Sequence, residues 1–122
     1  MKILIIDDSA VMRNMIKRVV GASGFTADFA EASNGQEGLS AADDSCDLIL
    51  CDWNMPEMNG IEFLRKYREG GGTVPVLMVT TETHATKVQE ATNAGANGFI
   101  AKPFTPDKVS EEIKKACPDL TT

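Results

Sequence analysis

Five residues of this chain place reactive side chains at the ends of short apolar runs. Asp7 and Asp8 follow Ile3-Leu4-Ile5-Ile6, and Asp52 follows Leu48-Ile49-Leu50-Cys51. Thr80 follows Val76-Leu77-Met78-Val79, and Lys102 follows Gly98-Phe99-Ile100-Ala101. Asp52 leads directly into Trp53-Asn54-Met55-Pro56-Glu57-Met58-Asn59-Gly60, whose Pro and Gly mark a loop. An acid at the end of a buried strand, opening into a loop, lies where α/β proteins hold their ligands.

Three carboxylates within a few ångströms repel strongly. Either one takes up a proton or a cation binds between them. Oxygen-only ligands select a hard ion, and a small octahedral site that retains waters fits Mg2+. A carboxylate beside such an ion can act as a nucleophile toward a phosphoryl group, while the metal and a lysine offset charge on the transferring oxygens. Taken singly, each residue has a plainer reading. A strand-end Asp is commonly a turn or cap residue, and Asp8 could cap the helix that follows. Thr80 alone reads as a turn hydroxyl and Lys102 as a solvated lysine. The conjunction is specific although its members are not.

For these ends to meet, the strands must run parallel. Lys2 to Asp7 reads as the first strand. Ser9 to Val20 carries Val11, Met12, Met15, Ile16, Val19 and Val20 at the spacing of one helix face. Ser9 or Asp8 caps it, and Gly21 and Gly24 end it. Ala27 to Ala32 alternates as an edge strand does. Asn34 to Ala42 is a short helix, and Cys46 to Asp52 is the third strand. Ile61 to Arg68 is a helix capped by Asn59, with Glu62 in capping-box position, and the glycines at 70, 71 and 72 end it. Val74 to Thr80 is the fourth strand. Thr83 to Ala94 is a helix whose inner face is mostly Ala, with Val88 as its strongest anchor. Gly98 to Ala101 is the fifth strand. Thr105 and Pro106 open a last helix with Val109, Ile113 and Ala116 inward. Strands alternating with helices imply an α/β fold, a five-stranded parallel sheet with helices on both faces. All strand carboxyl ends then share one edge.

The 122 residues are expected to form one domain, 1–122, and 43% hydrophobic content supports a real core. A net charge of -6 argues against a nucleic-acid surface and suits a protein that captures a cation or docks on a basic partner. No apolar run approaches the roughly 20 residues needed to span a bilayer, and the N-terminus has no signal-peptide layout. The expected compartment is the cytoplasm. Cys46, Cys51 and Cys117 form no metal or redox motif. Cys46 and Cys51, five apart on one strand, should face opposite sides of the sheet. His84 is the only histidine, so it offers neither a triad nor a metal site, and it is expected exposed at the start of the fourth helix. Trp53 reads as a loop aromatic partly shielding Asp52.

Ile5-Ile6-Asp7-Asp8, Asp52-Trp53-Asn54-Met55-Pro56, Val79-Thr80 and Lys102-Pro103-Phe104 together resemble the receiver domain of two-component response regulators. The resemblance runs from Lys2 to Ala116. The run from Asp52 looks most like that of stand-alone chemotaxis regulators. The resemblance, and not the residue pattern, supplies a flavodoxin-like strand order of 2-1-3-4-5. It implies a phosphorylation-activated switch and not a dedicated enzyme. Asp52 would accept a phosphoryl group from a phosphohistidine of a sensor histidine kinase. Asp7, Asp8, Asp52 and the backbone carbonyl of Asn54 would hold Mg2+, with Asp8 the more direct ligand. Thr80 and Lys102 would each meet a phosphoryl oxygen, and the peptide bond before Pro103 would be cis.

Thr80 and Phe99 would form the switch, altering a partner face built from the fifth strand and the fourth and fifth helices. Phe99 stands where the chemotaxis regulator has tyrosine, so it brings no hydroxyl to that face. Asn54 and Glu82 would tune loss of the phosphoryl group. The implied downstream target is a flagellar motor switch or another effector. Other readings stay open: a receiver cut from a larger regulator, a phosphorelay intermediate, or an aspartyl-nucleophile phosphatase. The phosphatase class places two Asp residues two apart on its first strand, whereas Asp7 and Asp8 are adjacent. A flavin carrier of the same fold is disfavoured, because Asp7 and Asp8 would repel its phosphate.

Overall fold

A computed structural model describes residues 1–55, 57–81 and 85–118. Strands and helices alternate along the chain. They are β1 (Lys2–Ile6), α1 (Ala10–Ala22), β2 (Asp28–Ala32), α2 (Gly35–Ala41), β3 (Leu48–Asp52), α3 (Gly60–Glu69), β4 (Val76–Thr80), α4 (Ala85–Ala94), β5 (Gly98–Ala101) and α5 (Pro106–Ala116). The sheet order is β2-β1-β3-β4-β5 and every neighbouring pair is parallel. This is the flavodoxin-like order that the resemblance implied, with β2 on an edge.

Side-chain alternation along the strands splits the core in two. Leu4, Ile6, Ile49, Cys51, Val76 and Met78 meet Ile61, Phe63 and Leu64 of α3 and Ala91 of α4 on one face. Ile3, Ile5, Leu48, Leu50, Leu77 and Val79 meet Ile16 and Val20 of α1 and Val109 and Ile113 of α5 on the other. Each fully buried aliphatic side chain contributes about 1.5–3 kcal/mol. A slip of one residue in β1, β3 or β4 would exchange the two faces, so register is fixed by packing on both sides. The register pairs Asp52 with Val79 and Thr80 with Ala101, which brings these strand ends level.

Local chemistry sets the boundaries. Ser9 Oγ accepts from the Met12 amide at 3.2 Å, so Ser9 and not Asp8 caps α1. Asn59 Oδ1 accepts from the Glu62 amide at 2.9 Å, and Thr105 Oγ1 accepts from that of Lys108 at 3.3 Å. Pro106 is the first residue of α5. β4 begins at Val76 and not at Val74, because Pro75 has no N–H to give the ladder. The Val74 N–H instead donates to the Tyr67 hydroxyl at 3.1 Å.

Four further expectations need correction. Gly21 does not end α1, which runs on to Ala22; Ser23 closes it by donating its N–H to the Val19 and Val20 carbonyls. Cys46 precedes β3, and both Cys46 and Cys51 are buried in the same half of the core. Spacing along a strand therefore never applied to that pair. Val88 is only half-buried, and Ala91 is the buried residue of α4. The apolar face of α1 is also wider than its partners can cover. Ile16 and Val20 are buried, but Val11 is 74% exposed and Met15 45%.

Candidate functional site

The edge where the strands end carries the acids. The Asp7 amide still donates to the Ala32 carbonyl at 3.0 Å, so the carboxylate is delivered by an extension of β1. Asp7 is 2% exposed and Asp52 6%, whereas Asp8 is exposed. All three offer a carboxylate oxygen within 4.8 Å of one another. Asp7 Oδ1 accepts from the Ser9 amide at 2.9 Å. Asp7 Oδ2 is buried and, among the described residues, has no hydrogen-bond partner.

Lys102 reaches the cluster from the far end of β5. Its Nζ donates to Asp52 Oδ1 at 3.1 Å, and its main-chain N–H donates to the Thr80 carbonyl at 2.8 Å. The Lys102–Pro103 bond is cis, as expected. Thr80 is 1% exposed at the end of β4. Asn54 is exposed in the loop beyond Asp52. Glu82 and His84 lie outside the described residues.

Electrostatically the site is short of positive charge. Among the described residues, the Lys102 ammonium is the cation paired with the three carboxylates, while Arg13 meets the Asp7 carbonyl and is itself paired with Glu31, so the cluster keeps an excess of two negative charges if all ionise. Burial pushes the Asp7 carboxyl above its usual range. The Ser9 N–H opposes this, the Asp52 and Asp8 charges add to it, and Lys102 opposes it. Beneath the site, burial pushes the Cys51 thiol far up, with the Asp52 and Asp7 charges adding to the shift. Cys51 therefore keeps its proton and is a packing residue. Oxygen donors, an unpartnered buried oxygen and a two-charge deficit suit a divalent cation bound to carboxylates.

Gly60 and Arg13 beside the site were not singled out from sequence. Gly60 opens α3 with its N–H donating to the Trp53 carbonyl at 2.9 Å. A Cβ there would lie 2.5 Å from the Asp52 carbonyl oxygen and 2.6 Å from Met78 Cε. The helix start can approach the Asp52 main chain only without a side chain. A Gly directly after a cap residue was the available signal. Trp53, just past the end of β3, is buried at 5% exposure and packs into the core. Its ring stacks on Phe99. Arg13 of α1 donates from Nη1 to the Asp7 carbonyl at 2.6 Å.

This fold, with acids and a lysine gathered at the strand ends, defines a class. The receiver-domain profile of response regulators matches residues 3–114, and the chain belongs to that family. Its members are signalling switches and not dedicated enzymes. Within the family, the chain is 44% identical to chemotaxis protein CheY of Pseudomonas aeruginosa over 118 residues, covering 94% of each. It is 39% identical to chemotaxis protein CheY1 of Helicobacter pylori, over 93% of this chain and 94% of that one. The structure of chemotaxis protein CheY4 of Vibrio cholerae superposes with a TM-score of 0.81 at 35% identity, covering 94% of this chain and 97% of that one. Among the described residues, no helix is long and apolar enough to cross a membrane.

Proposed function

We propose that the chain is a chemotaxis-type response regulator that takes a phosphoryl group onto Asp52 from a phosphohistidine of a sensor histidine kinase. The observation that carries this reading is the Asp52–Lys102 contact of 3.1 Å beside the crowded carboxylates of Asp7 and Asp8. An Asp52 carboxylate oxygen attacks phosphorus as the bond to the donor imidazole nitrogen breaks. The leaving nitrogen keeps that electron pair, and Asp52 becomes an acyl phosphate. Lys102, already on Asp52, offsets charge on a phosphoryl oxygen. Thr80 offers its hydroxyl to another.

Asp7, Asp8, Asp52 and the Asn54 carbonyl would hold Mg2+. When bound, the ion neutralises charge on the phosphoryl oxygens and on the crowded acids. Asp7 and Asp8 keep the surplus negative charge that attracts the ion. Thr80 and Phe99 transmit phosphorylation to a partner face on α4, β5 and α5. The effector reading that face is a flagellar motor switch or a protein like it, and the setting is the cytoplasm. Asn54 and Glu82 tune hydrolysis, giving a phospho-form that lasts of the order of seconds to minutes.

Exposed Val11 and Met15 support a protein phosphodonor. Met15 borders a groove of about 300 Å³ that Met12, Thr81, Phe104 and Lys102, the partner of Asp52, help to line, and Val11 is exposed on the same helix. A donor delivering to Asp52 covers this rim, and apolar side chains there gain by burial.

Acetyl phosphate with Mg2+ tests the chemistry. Wild type should gain one phosphoryl group and Asp52→Asn none; full labelling of that variant would move the acceptor elsewhere. Met15→Glu should slow transfer from a cognate kinase while leaving acetyl phosphate labelling intact.

A further inference from the structure

The turn that carries Asp7 and Asp8 is held from outside the acid cluster. Arg13, in the first turn of α1, donates from Nη1 to the Asp7 carbonyl at 2.6 Å and from Nε to Glu31 Oε1 at 3.0 Å. Glu31 stands on β2, and its other oxygen accepts from Lys17 Nζ at 2.8 Å. Lys17 lies one helical turn beyond Arg13, so α1 grips Glu31 at two points. The Arg13 side chain is only 16% exposed. One guanidinium thus spans from the edge strand to the main chain of a proposed metal ligand. A planar fork can make both bonds at once, whereas an ammonium is a point donor.

Charge and geometry make opposite demands on Arg13. A fixed positive charge beside a cation site weakens cation binding by simple repulsion. A residue that fixes the ligand-bearing main chain strengthens it. The buried Asp7 Oδ2, without a partner among the described residues, needs the second effect, because its placement depends on the main chain that Arg13 holds.

We propose that Arg13 is a positioning residue for the cation site. It pins the Asp7 peptide so that Asp7 and Asp8 face Asp52, and Glu31 with Lys17 holds the guanidinium from behind. The inference rests on the Mg2+ reading given above.

Mg2+ dissociation constants decide it, measured by calorimetry and by Trp53 fluorescence on folded, metal-free protein well below its unfolding midpoint. Partners that orient metal ligands change affinity by about 10–100-fold. Arg13→Gln should weaken Mg2+ binding by about tenfold, at the low end of that range. Arg13→Lys keeps the charge but not the fork, so it should weaken binding in the same direction. Tighter or unchanged binding in Arg13→Gln would make Arg13 a bystander charge and overturn the proposal. A fall in the metal-free urea midpoint with an unchanged dissociation constant would also overturn it, leaving a merely structural role. If Arg13→Gln does not fold, Glu31→Gln decides; it should weaken Mg2+ binding several-fold, and no change would end the idea. Asp8→Ala separates the two levels. If it leaves Mg2+ binding intact, the metal reading fails; if it abolishes binding while the Arg13 variants bind Mg2+ as tightly as wild type, only this inference fails.

Discussion

The Trp53 ring stacks on Phe99 with centroids 6.3 Å apart and planes at 27°. Trp53 is the residue after Asp52, and its N–H donates to the Val79 carbonyl at 3.3 Å. Phe99 is half-buried on β5 and paired in register with Met78 of β4. One ring contact therefore joins the loop beyond Asp52 to the face proposed for partners. Phe99→Ala should red-shift Trp53 emission by admitting water. It should also destabilise the fold by about 1–3 kcal/mol, since an aromatic pair adds to the burial of a half-exposed ring. Emission unchanged in Phe99→Ala would mean that the stack does not persist in solution.

Asp7 sets a pH dependence for the metal-free protein. Its carboxyl is held above the usual range, chiefly by burial. The unfolded chain therefore releases this proton at lower pH than the folded chain does. Stability should fall as pH rises from the ordinary Asp value toward the raised one, then level off. Asp7→Asn should be more stable than wild type at neutral pH without metal and should lose that advantage in acid. Mg2+ should reverse the order at neutral pH, because ligand at 100 times its dissociation constant adds about 2.7 kcal/mol to wild type. Urea midpoints at pH 4 and pH 7, with and without Mg2+, check each sign.

Gly60→Ala should damage the site from behind. Its Cβ would press on the Asp52 carbonyl oxygen, which is backbone and cannot rotate away. Overpacking of this kind costs about 1–3 kcal/mol. The urea midpoint should drop, and the initial rate of labelling by acetyl phosphate should fall with it. By contrast, Gly21→Ala should be neutral or slightly stabilising, since Gly21 lies within α1 and nothing lies within 4 Å of a Cβ there.

Arg68 should prove a structural cation. Its guanidinium donates to the Gly95 carbonyl from both Nε (3.2 Å) and Nη2 (2.9 Å). It also donates to the Gly72 and Val74 carbonyls at 3.1 and 2.9 Å and to Asn97 Oδ1 at 2.9 Å. Partial burial holds its pKa below the usual arginine range. Arg68→Ala should cost about 2–4 kcal/mol, several modest hydrogen bonds lost together. Amide exchange should quicken at Gly95 to Asn97 and leave β1 protected.

Much of this was legible in the residues. Ile3 to Ile6, Leu48 to Cys51 and Val76 to Val79 announced strands covered on both sides, and their acidic or hydroxyl ends had to share an edge once the sheet was parallel. Ser9, Asn59 and Thr105 announced their helix starts. What escaped depends on three-dimensional neighbours. Arg13 and Arg68 look like solvated charges in a helix pattern, because nothing local says that a carbonyl from another element will meet them. Apolar periodicity in α1 could not tell covered Ile16 from exposed Val11 and Met15. Trp53 follows a strand and precedes a Pro-containing run, so its burial against Phe99 depended on β5. Cys46 was misplaced because the ladder starts two residues later, at Leu48.

The uneven hold on α4 has a mechanical consequence. Arg68 bolts down its C-terminal turn at Gly95, while along the helix itself only Ala91 is fully buried. A helix of 10 residues is a lever arm of about 15 Å hinged at one end. A tilt of about 10° at that end would carry the N-terminal end roughly 2–3 Å, given a rise of about 1.5 Å per residue. That end begins at Ala85, five residues after Thr80. A modest tilt of α4 would thus reshape the surface beside the strand ends by a few ångströms, while the sheet keeps its packing on both faces.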